Sequence, residues 1–158
     1  MRGRGKVVGF SEEVLDTLLQ ETTYRLQKSF LLLSLLHFDD TVRYGVNYQQ
    51  DHIFPQDRLN ADKLVDEHGF DRDRAEQYED ARNRIANLQL LTDQENSRKQ
   101  EMPFEEWISI RTDDYCRNHC IPEQESLYRL ENFFEFLESR EGLIRSEMIS
   151  RFEQFTEP

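Results

Sequence analysis

Apolar and polar positions near the start of the chain follow the spacing of two helices. Ser11 precedes two glutamates, and one valine and three leucines follow at helical spacing, which predicts an amphipathic helix over about 11–21 with Ser11 as its N-cap. A second helical pattern, over about 24–37, is apolar nearly all round and therefore predicts a helix deep in the core. The N-terminal helical part is expected to span residues 11–38.

The middle of the chain has the pattern of two short strands followed by a helix. Residues 46–53 contain valine, tyrosine and isoleucine between polar flanks and are followed by Pro55, which indicates a strand that ends there. A cluster of leucines before Thr92 indicates the second strand, and Thr92 with Glu95 has the spacing of a capping box, so a helix is expected to begin there. The charged residues 57–83 between the strands predict an insertion of short surface helices.

The remainder of the chain, about residues 104–156, is predicted to be helical, with Trp107 and the phenylalanines at 133, 134 and 136 in the core. With the strand–strand–helix part at about 46–101, we expect one domain over residues 1–158. Its fold class is α+β: a mostly helical domain that surrounds a small hairpin and helix.

Composition changes this picture in two ways. The net charge of −12 opposes nucleic-acid binding, because lysine and arginine contacts to phosphate normally supply most of the affinity. Residues 81–100 nevertheless carry four basic and two acidic side chains, so this window is locally positive. The chain has only two cysteines, and no apolar run follows its basic N-terminus. Its longest apolar stretch is far shorter than the roughly 20 residues of a membrane span. We therefore expect a cytoplasmic protein outside the membrane.

The sequence CRNHC offers one possible metal site. Cys116, His119 and Cys120 could share one helical face and bind zinc, but a closed structural zinc site needs a fourth ligand. Buried thiols are the favoured interpretation.

The stretch YQQDHIFPQ carries the main candidates for chemistry, Asp51 and His52. A neutral imidazole can take a proton from water at neutral pH, and carboxylate oxygens suit a hard cation such as Mg²⁺. Adjacent strand residues face opposite sides, so both can face one centre only where the strand ends or twists, which Pro55 favours. Asn96, about one turn into the predicted helix, is the best second oxygen ligand, and Asn87 can hydrogen-bond a neighbouring loop and hold His52 in one orientation.

The stretches DHIFPQ, RIANLQLLTDQENSRK and PFEEW resemble the C-terminal nuclease domain of GmrSD-type restriction and phage-defence proteins, and the Asp-His pair with two later asparagines looks like the ββα-metal motif of HNH endonucleases. The resemblance implies a metal-dependent DNA endonuclease. In it Asp51 and Asn96 would bind Mg²⁺ or Mn²⁺, His52 would be the general base, and Asn87 would stabilise the site. The chain differs from the commonest pattern in having asparagine as the last ligand and a long connection between His52 and Asn87.

The resemblance also implies partners. DNA is the expected substrate, with Arg84, Arg98 and Lys99 as candidates for phosphate contacts together with Arg82. A ParB-like NTPase sensor, as an N-terminal domain or a subunit, is the expected partner. One HNH centre cuts one strand, so we expect nicks unless two copies form a homodimer. Two alternatives stay open: an acidic helical interaction module that keeps the HNH scaffold but does not cut, and an HNH-fold RNase.

Overall fold

The computed structural model describes residues 11–36 and 45–154, so the predicted helix ends at 37–38 and 155–156 lie outside the described residues. The described part is mostly helical with a small sheet, which confirms the α+β class. In chain order the elements are α1 (Glu12–Glu21), α2 (Gln27–Leu36), β1 (Tyr48–His52), α3 (Ala61–His68), α4 (Arg72–Ala81), β2 (Leu88–Thr92), α5 (Asp93–Lys99), α6 (Phe104–Ser109), α7 (Asp113–Asn118) and α8 (Phe133–Gln154). Short 3₁₀ turns lie at Gln56–Leu59, Ile85–Asn87, Glu125–Tyr128 and Leu130–Asn132.

Strands β1 and β2 pair antiparallel in a two-stranded sheet, with Asp51 opposite Gln89 and His52 opposite Leu88. Because side chains alternate between the faces of a strand, the sheet contributes to two apolar clusters. One contains Leu91 with side chains of α3, α4, α6 and the start of α8. The other contains Leu88 and Leu90 with side chains of α1, α2 and the later part of α8.

Local sequence accounts for several element boundaries. Ser11 accepts a hydrogen bond from the Val14 amide and caps α1, as predicted. The predicted capping box at the start of α5 is also present, since the Thr92 and Glu95 side chains each accept from the other's backbone amide. This box fixes the point where β2 becomes α5, and therefore the position of α5 beside the sheet.

Helix α2 does not lie deep in the core, and this prediction was wrong. Leu33 and Leu36 are buried, but Phe30, Leu31 and Leu35 are exposed, Leu31 to 61%. The helix packs on β2 and α8 through the side that carries Leu33 and Leu36, and its exposed apolar residues lie on the rest of its surface. An all-apolar pattern gives no information on how many sides of a helix are covered.

The insertion and the C-terminal part also differ in detail from their predictions. The insertion helices α3 and α4 are not confined to the surface, because Leu64, Ala75 and Tyr78 are buried in the first cluster. The C-terminal part is divided into the short helices α6 and α7 and the long helix α8, which begins only at Phe133, after two 3₁₀ turns. The predicted core position of Trp107 is confirmed.

No helix within the described ranges is long and apolar enough to cross a membrane.

Candidate active site at the end of the first strand

A polar cleft of about 400 Å³ lies where β1 ends, and Asp51 and His52 both line it. Asp57, Arg82 and Glu101 contribute charged groups to the same cleft. Two adjacent strand residues reach one cleft because β1 stops at His52, three residues before Pro55. The strand end that the sequence predicts therefore brings the acid and the imidazole together.

The His52 ring is held on two sides. Its Nε2 atom lies 2.9 Å from the side-chain oxygen of Asn83, and its ring packs on Tyr24 with the centroids 4.4 Å apart. An amide oxygen can only accept a hydrogen bond, so Nε2 must carry the proton, and Nδ1 of the neutral ring is left with a free lone pair. Burial lowers the pKa of His52, partly opposed by the Asn83 hydrogen bond and the Asp51 charge. The ring is therefore neutral at neutral pH.

The Asp51 carboxylate is fixed through one oxygen. Its Oδ2 atom accepts a hydrogen bond of 2.9 Å from the Gln89 amide and lies 3.0 Å from the Lys99 ammonium. Its Oδ1 atom receives no hydrogen bond from the described residues. Asp51 thus has one oxygen held inside the protein while its side chain still reaches the cleft.

A buried chain of hydrogen bonds supports Asp51 from behind. The Tyr115 hydroxyl donates to the Gln89 side-chain oxygen and accepts from the Trp107 indole at 2.9 Å. Gln89 and Trp107 have no exposed surface, and Tyr115 has little. Because Gln89 uses its oxygen for Tyr115, its nitrogen must face Asp51. Sequence reasoning missed Gln89, although a glutamine between leucines on the strand that pairs with Asp51 is a polar residue at a buried position.

Lys99 is not part of an exposed basic pair. Its side chain is 0% exposed, and its ammonium donates to the His52 carbonyl at 2.6 Å as well as facing Asp51. Burial lowers the pKa of Lys99, and the Asp51 charge opposes this shift. Arg98, its neighbour on α5, is exposed. The two residues therefore point to different environments, because consecutive residues lie on different sides of a helix.

Asn87 joins the loop after β1 to the loop before β2. Its amide nitrogen donates to the Phe54 and Arg82 carbonyls at 3.1 and 2.8 Å, and its oxygen accepts from the Phe54 amide at 2.9 Å. These are the loop hydrogen bonds that the sequence predicts for Asn87. The His52 ring itself is held by Asn83, which sequence reasoning missed.

Asn96 lies at the interface between β1 and α5. Its amide nitrogen donates to the Gln49 side chain at 2.8 Å, and Gln49 donates in turn to Asp93. Gln49 and Asp51 are two positions apart on β1 and so share a face. Asn96 therefore contacts β1 on the face that carries Asp51 but does not line the cleft at the end of the strand. Its side-chain oxygen receives no hydrogen bond from the described residues.

Most basic side chains of the 81–100 window are neutralised by acidic partners. Arg82 pairs with Glu79 at 2.8 Å, and Arg84 forms an ion pair with Glu141 of α8. Lys99 pairs with Asp51, so Arg98 is the exposed basic residue of the window that has no described acidic partner. The positive field near the cleft is therefore weaker than the formal count of charges indicates.

Asp51 and Asn96 fit a hard divalent cation by donor type, since both offer side-chain oxygens. The described residues contain no cluster of three or more His, Cys, Asp or Glu side chains that could hold a metal ion. An ion at Asp51 would therefore depend on water for most of its ligands, as Mg²⁺ commonly does. The same finding covers CRNHC, where Cys116 and Cys120 are free, half-buried thiols whose pKa values burial raises.

The fold and the site define an α+β domain in which an acid and a histidine line one polar cleft beside a strand–strand–helix unit. A family model described as GmrSD restriction endonucleases, C-terminal domain, matches residues 10–138, and the chain belongs to this family. It is therefore a nuclease domain of the restriction type. A comparison with curated proteins finds no match.

Proposed function

We propose that the chain is a metal-dependent DNA endonuclease of the HNH type that nicks one strand of its substrate, as the effector of a restriction or anti-phage defence system. The observation that carries this proposal is the placement of His52. A neutral ring with an unprotonated Nδ1 atom stands beside Asp51 at the edge of a polar cleft. Such a ring can accept a proton from a water molecule that attacks a phosphodiester.

Three neighbours would support His52 as it gains a proton. The Asn83 side-chain oxygen accepts a hydrogen bond from the protonated Nε2 atom, and this hydrogen bond strengthens as the ring becomes cationic. The Asp51 carboxylate favours the cationic ring through its charge. Tyr24 packs against the ring and limits its rotation. General base catalysis of this kind contributes roughly 10²–10⁴-fold to rate.

In this proposal Asp51 and Asn96 hold the divalent ion, Mg²⁺ or Mn²⁺. When bound, such an ion stabilises the negative charge that develops on the phosphate oxygens. Gln89 keeps the Asp51 carboxylate in one orientation, and Asn87 keeps the loop after β1 in place. These contacts would fix the site before the ion or the substrate arrives.

DNA would be attracted by a small number of basic groups. Arg98 is exposed on α5, and Arg82 lines the cleft with part of its side chain exposed. Arg84 and Lys99 pair with Glu141 and Asp51, and neither lines the cleft. Arg82 lines the cleft although Glu79 pairs with it, so the proposal places phosphate contacts on Arg98 and Arg82. With a net charge of −12, binding by so few contacts would be weak. A ParB-like NTPase sensor, as a preceding domain or a subunit in the cytoplasm, would bring the domain to its DNA.

A plasmid assay tests this proposal. Supercoiled plasmid is incubated with the protein and Mg²⁺ or Mn²⁺, and His52→Ala and Asn96→Ala are compared with His68→Ala, which changes an exposed histidine outside the cleft. We expect nicked circles from the wild type and from His68→Ala, and intact plasmid from the other two.

Other outcomes separate the alternatives. Linear plasmid at concentrations where the protein is monomeric would contradict nicking, whereas linear plasmid from a dimer would show two centres acting together. Cleavage of an RNA control alone would favour the RNase. No cleavage of either substrate by the wild type would favour the interaction module.

A further inference from the structure

Lys99 places a positive charge on the carboxylate that the proposed function assigns to a metal ion. Its ammonium lies 3.0 Å from Asp51 Oδ2 and donates to the His52 carbonyl at 2.6 Å. Among the described residues, Lys99 is the cation that pairs with Asp51. A lysine that is 0% exposed rarely occurs without a specific partner, because burial of an ammonium without one is costly.

We propose that Lys99 is a built-in cation, which holds Asp51 in place when no metal is bound and competes with a divalent ion for the same carboxylate. This inference rests on the proposed function in one respect, namely that Asp51 binds the ion. It goes beyond that function because it predicts that Lys99, a candidate for phosphate contacts in the sequence, weakens metal binding.

The need for such a cation follows from the burial of Asp51. Its side chain is 10% exposed, and its other described hydrogen bond comes from the neutral Gln89 amide. Burial of a carboxylate in this position is costly without a nearby counter-charge. Lys99 supplies that charge, and the protein can therefore assemble the site in the absence of metal.

The competition follows from the distances. A divalent ion bound to either oxygen of Asp51 would stand within a few ångströms of the Lys99 ammonium, in a region with little water to screen the repulsion. The ammonium also cannot move away freely, because the His52 carbonyl holds it from a second side. Removal of the lysine charge should therefore strengthen metal binding.

The test compares Lys99→Met with the wild type. Methionine keeps an unbranched apolar side chain of similar length and removes the charge. Arg72→Met is the matched control, because it removes one positive charge from an exposed ion pair with Asp62, outside the cleft. Mn²⁺ binding is measured from the paramagnetic resonance of the free ion and from the rise in Tm on addition of Mn²⁺.

We expect Lys99→Met to bind Mn²⁺ at least about ten-fold more tightly than the wild type, to melt at a lower temperature without metal, and to gain more in Tm when Mn²⁺ is added. Arg72→Met should bind as the wild type does. A folded Lys99→Met that binds Mn²⁺ equally or more weakly would overturn the inference. If Lys99→Met is unfolded without metal, folding on addition of Mn²⁺ supports the inference, and failure to fold at saturating Mn²⁺ overturns it.

Asp51→Asn separates this inference from the proposed function. If Asp51→Asn binds Mn²⁺ as the wild type does, the metal assignment of Asp51 fails and the competition fails with it. If Asp51→Asn abolishes binding but Lys99→Met does not strengthen it, the metal assignment stands and the role of Lys99 alone is wrong. The double variant Asp51→Asn, Lys99→Met should fold without metal and bind no Mn²⁺.

Discussion

The Nε2 atom of His52 lies 2.9 Å from the side-chain oxygen of Asn83, which is 31 positions further along the chain. This contact decides which ring nitrogen is free to act as a base. The backbone of Asn83 is fixed from the other side, since its carbonyl accepts a hydrogen bond from the Tyr24 amide at 3.0 Å. The connection between α1 and α2 therefore takes part in the site, through both the Tyr24 ring and the Asn83 backbone.

The first prediction concerns the tautomer of His52. Asn83→Ala removes the oxygen that keeps the proton on Nε2, so we expect a mixture of tautomers and a fall in nicking rate on the order of 10-fold, as for other residues that orient a functional group. Nitrogen NMR of the labelled imidazole measures the tautomer directly. A variant that keeps both the single tautomer and the wild-type rate would show that Asn83 does not orient the ring.

The second prediction concerns pH and the stability of the metal-free protein. The folded-state pKa of His52 lies below the ordinary 6.5, so the unfolded chain binds more protons in the range between the two values. Above this range, protonation of His52 does not change the free energy of unfolding. As the pH falls from about 6.5 through the folded-state pKa, it lowers the free energy of unfolding. Urea unfolding with a chelator present should show a smaller loss on acidification for His52→Gln than for the wild type. Equal losses would contradict the lowered pKa.

The third prediction concerns the buried chain behind Asp51. Tyr115→Phe leaves the Gln89 oxygen and the Trp107 indole without their hydrogen-bond partner, so we expect a loss of about 1–3 kcal/mol in the free energy of unfolding for each buried group left unpaired. The fluorescence of Trp107, the single tryptophan, reports the transition in urea. Tyr128→Phe is the comparison, because its hydroxyl donates to the Pro122 carbonyl and takes no part in the chain behind Asp51. A Tyr115→Phe loss no larger than that of Tyr128→Phe would contradict the role of the chain.

The fourth prediction separates the two asparagines of the motif. Asn87→Ala removes three hydrogen bonds of a fully buried side chain and should lower the free energy of unfolding by about 2–4 kcal/mol. Asn96→Ala removes one partly exposed hydrogen bond to Gln49 and should cost about 1 kcal/mol or less. Both should reduce nicking. Chemical denaturation gives the two stabilities, and a similar cost for both would show that Asn87 does not clamp the loops.

Local patterns predicted much of the fold. The strand ends near Pro55 and Thr92 and the caps of α1 and α5 depend on residues next to one another in the chain, and the structure has them where the sequence indicates. The burial of α2 could not be predicted in this way, because burial depends on how many sides of a helix meet a partner. The start of α8 depends likewise on the turns packed before it.

The candidate site was predictable to a similar extent. Asp51 and His52 came from a short motif, and the structure brings both to one cleft. Asn83 and Gln89 were missed because their contacts cross 31 and 38 positions and follow no local pattern. The burial of Lys99 was missed for the same reason, since the sequence does not show which side of α5 faces β1.

The most direct test of the account is the single-turnover rate of plasmid nicking by His52→Gln with saturating Mg²⁺, compared with His68→Gln. Glutamine keeps a polar side chain that can donate to Asn83 but cannot act as a base at neutral pH. We expect His52→Gln to be at least about 10²-fold slower than the wild type and His68→Gln to be unchanged. Nicking by folded His52→Gln at a rate close to that of the wild type would contradict the assignment of His52 as the general base.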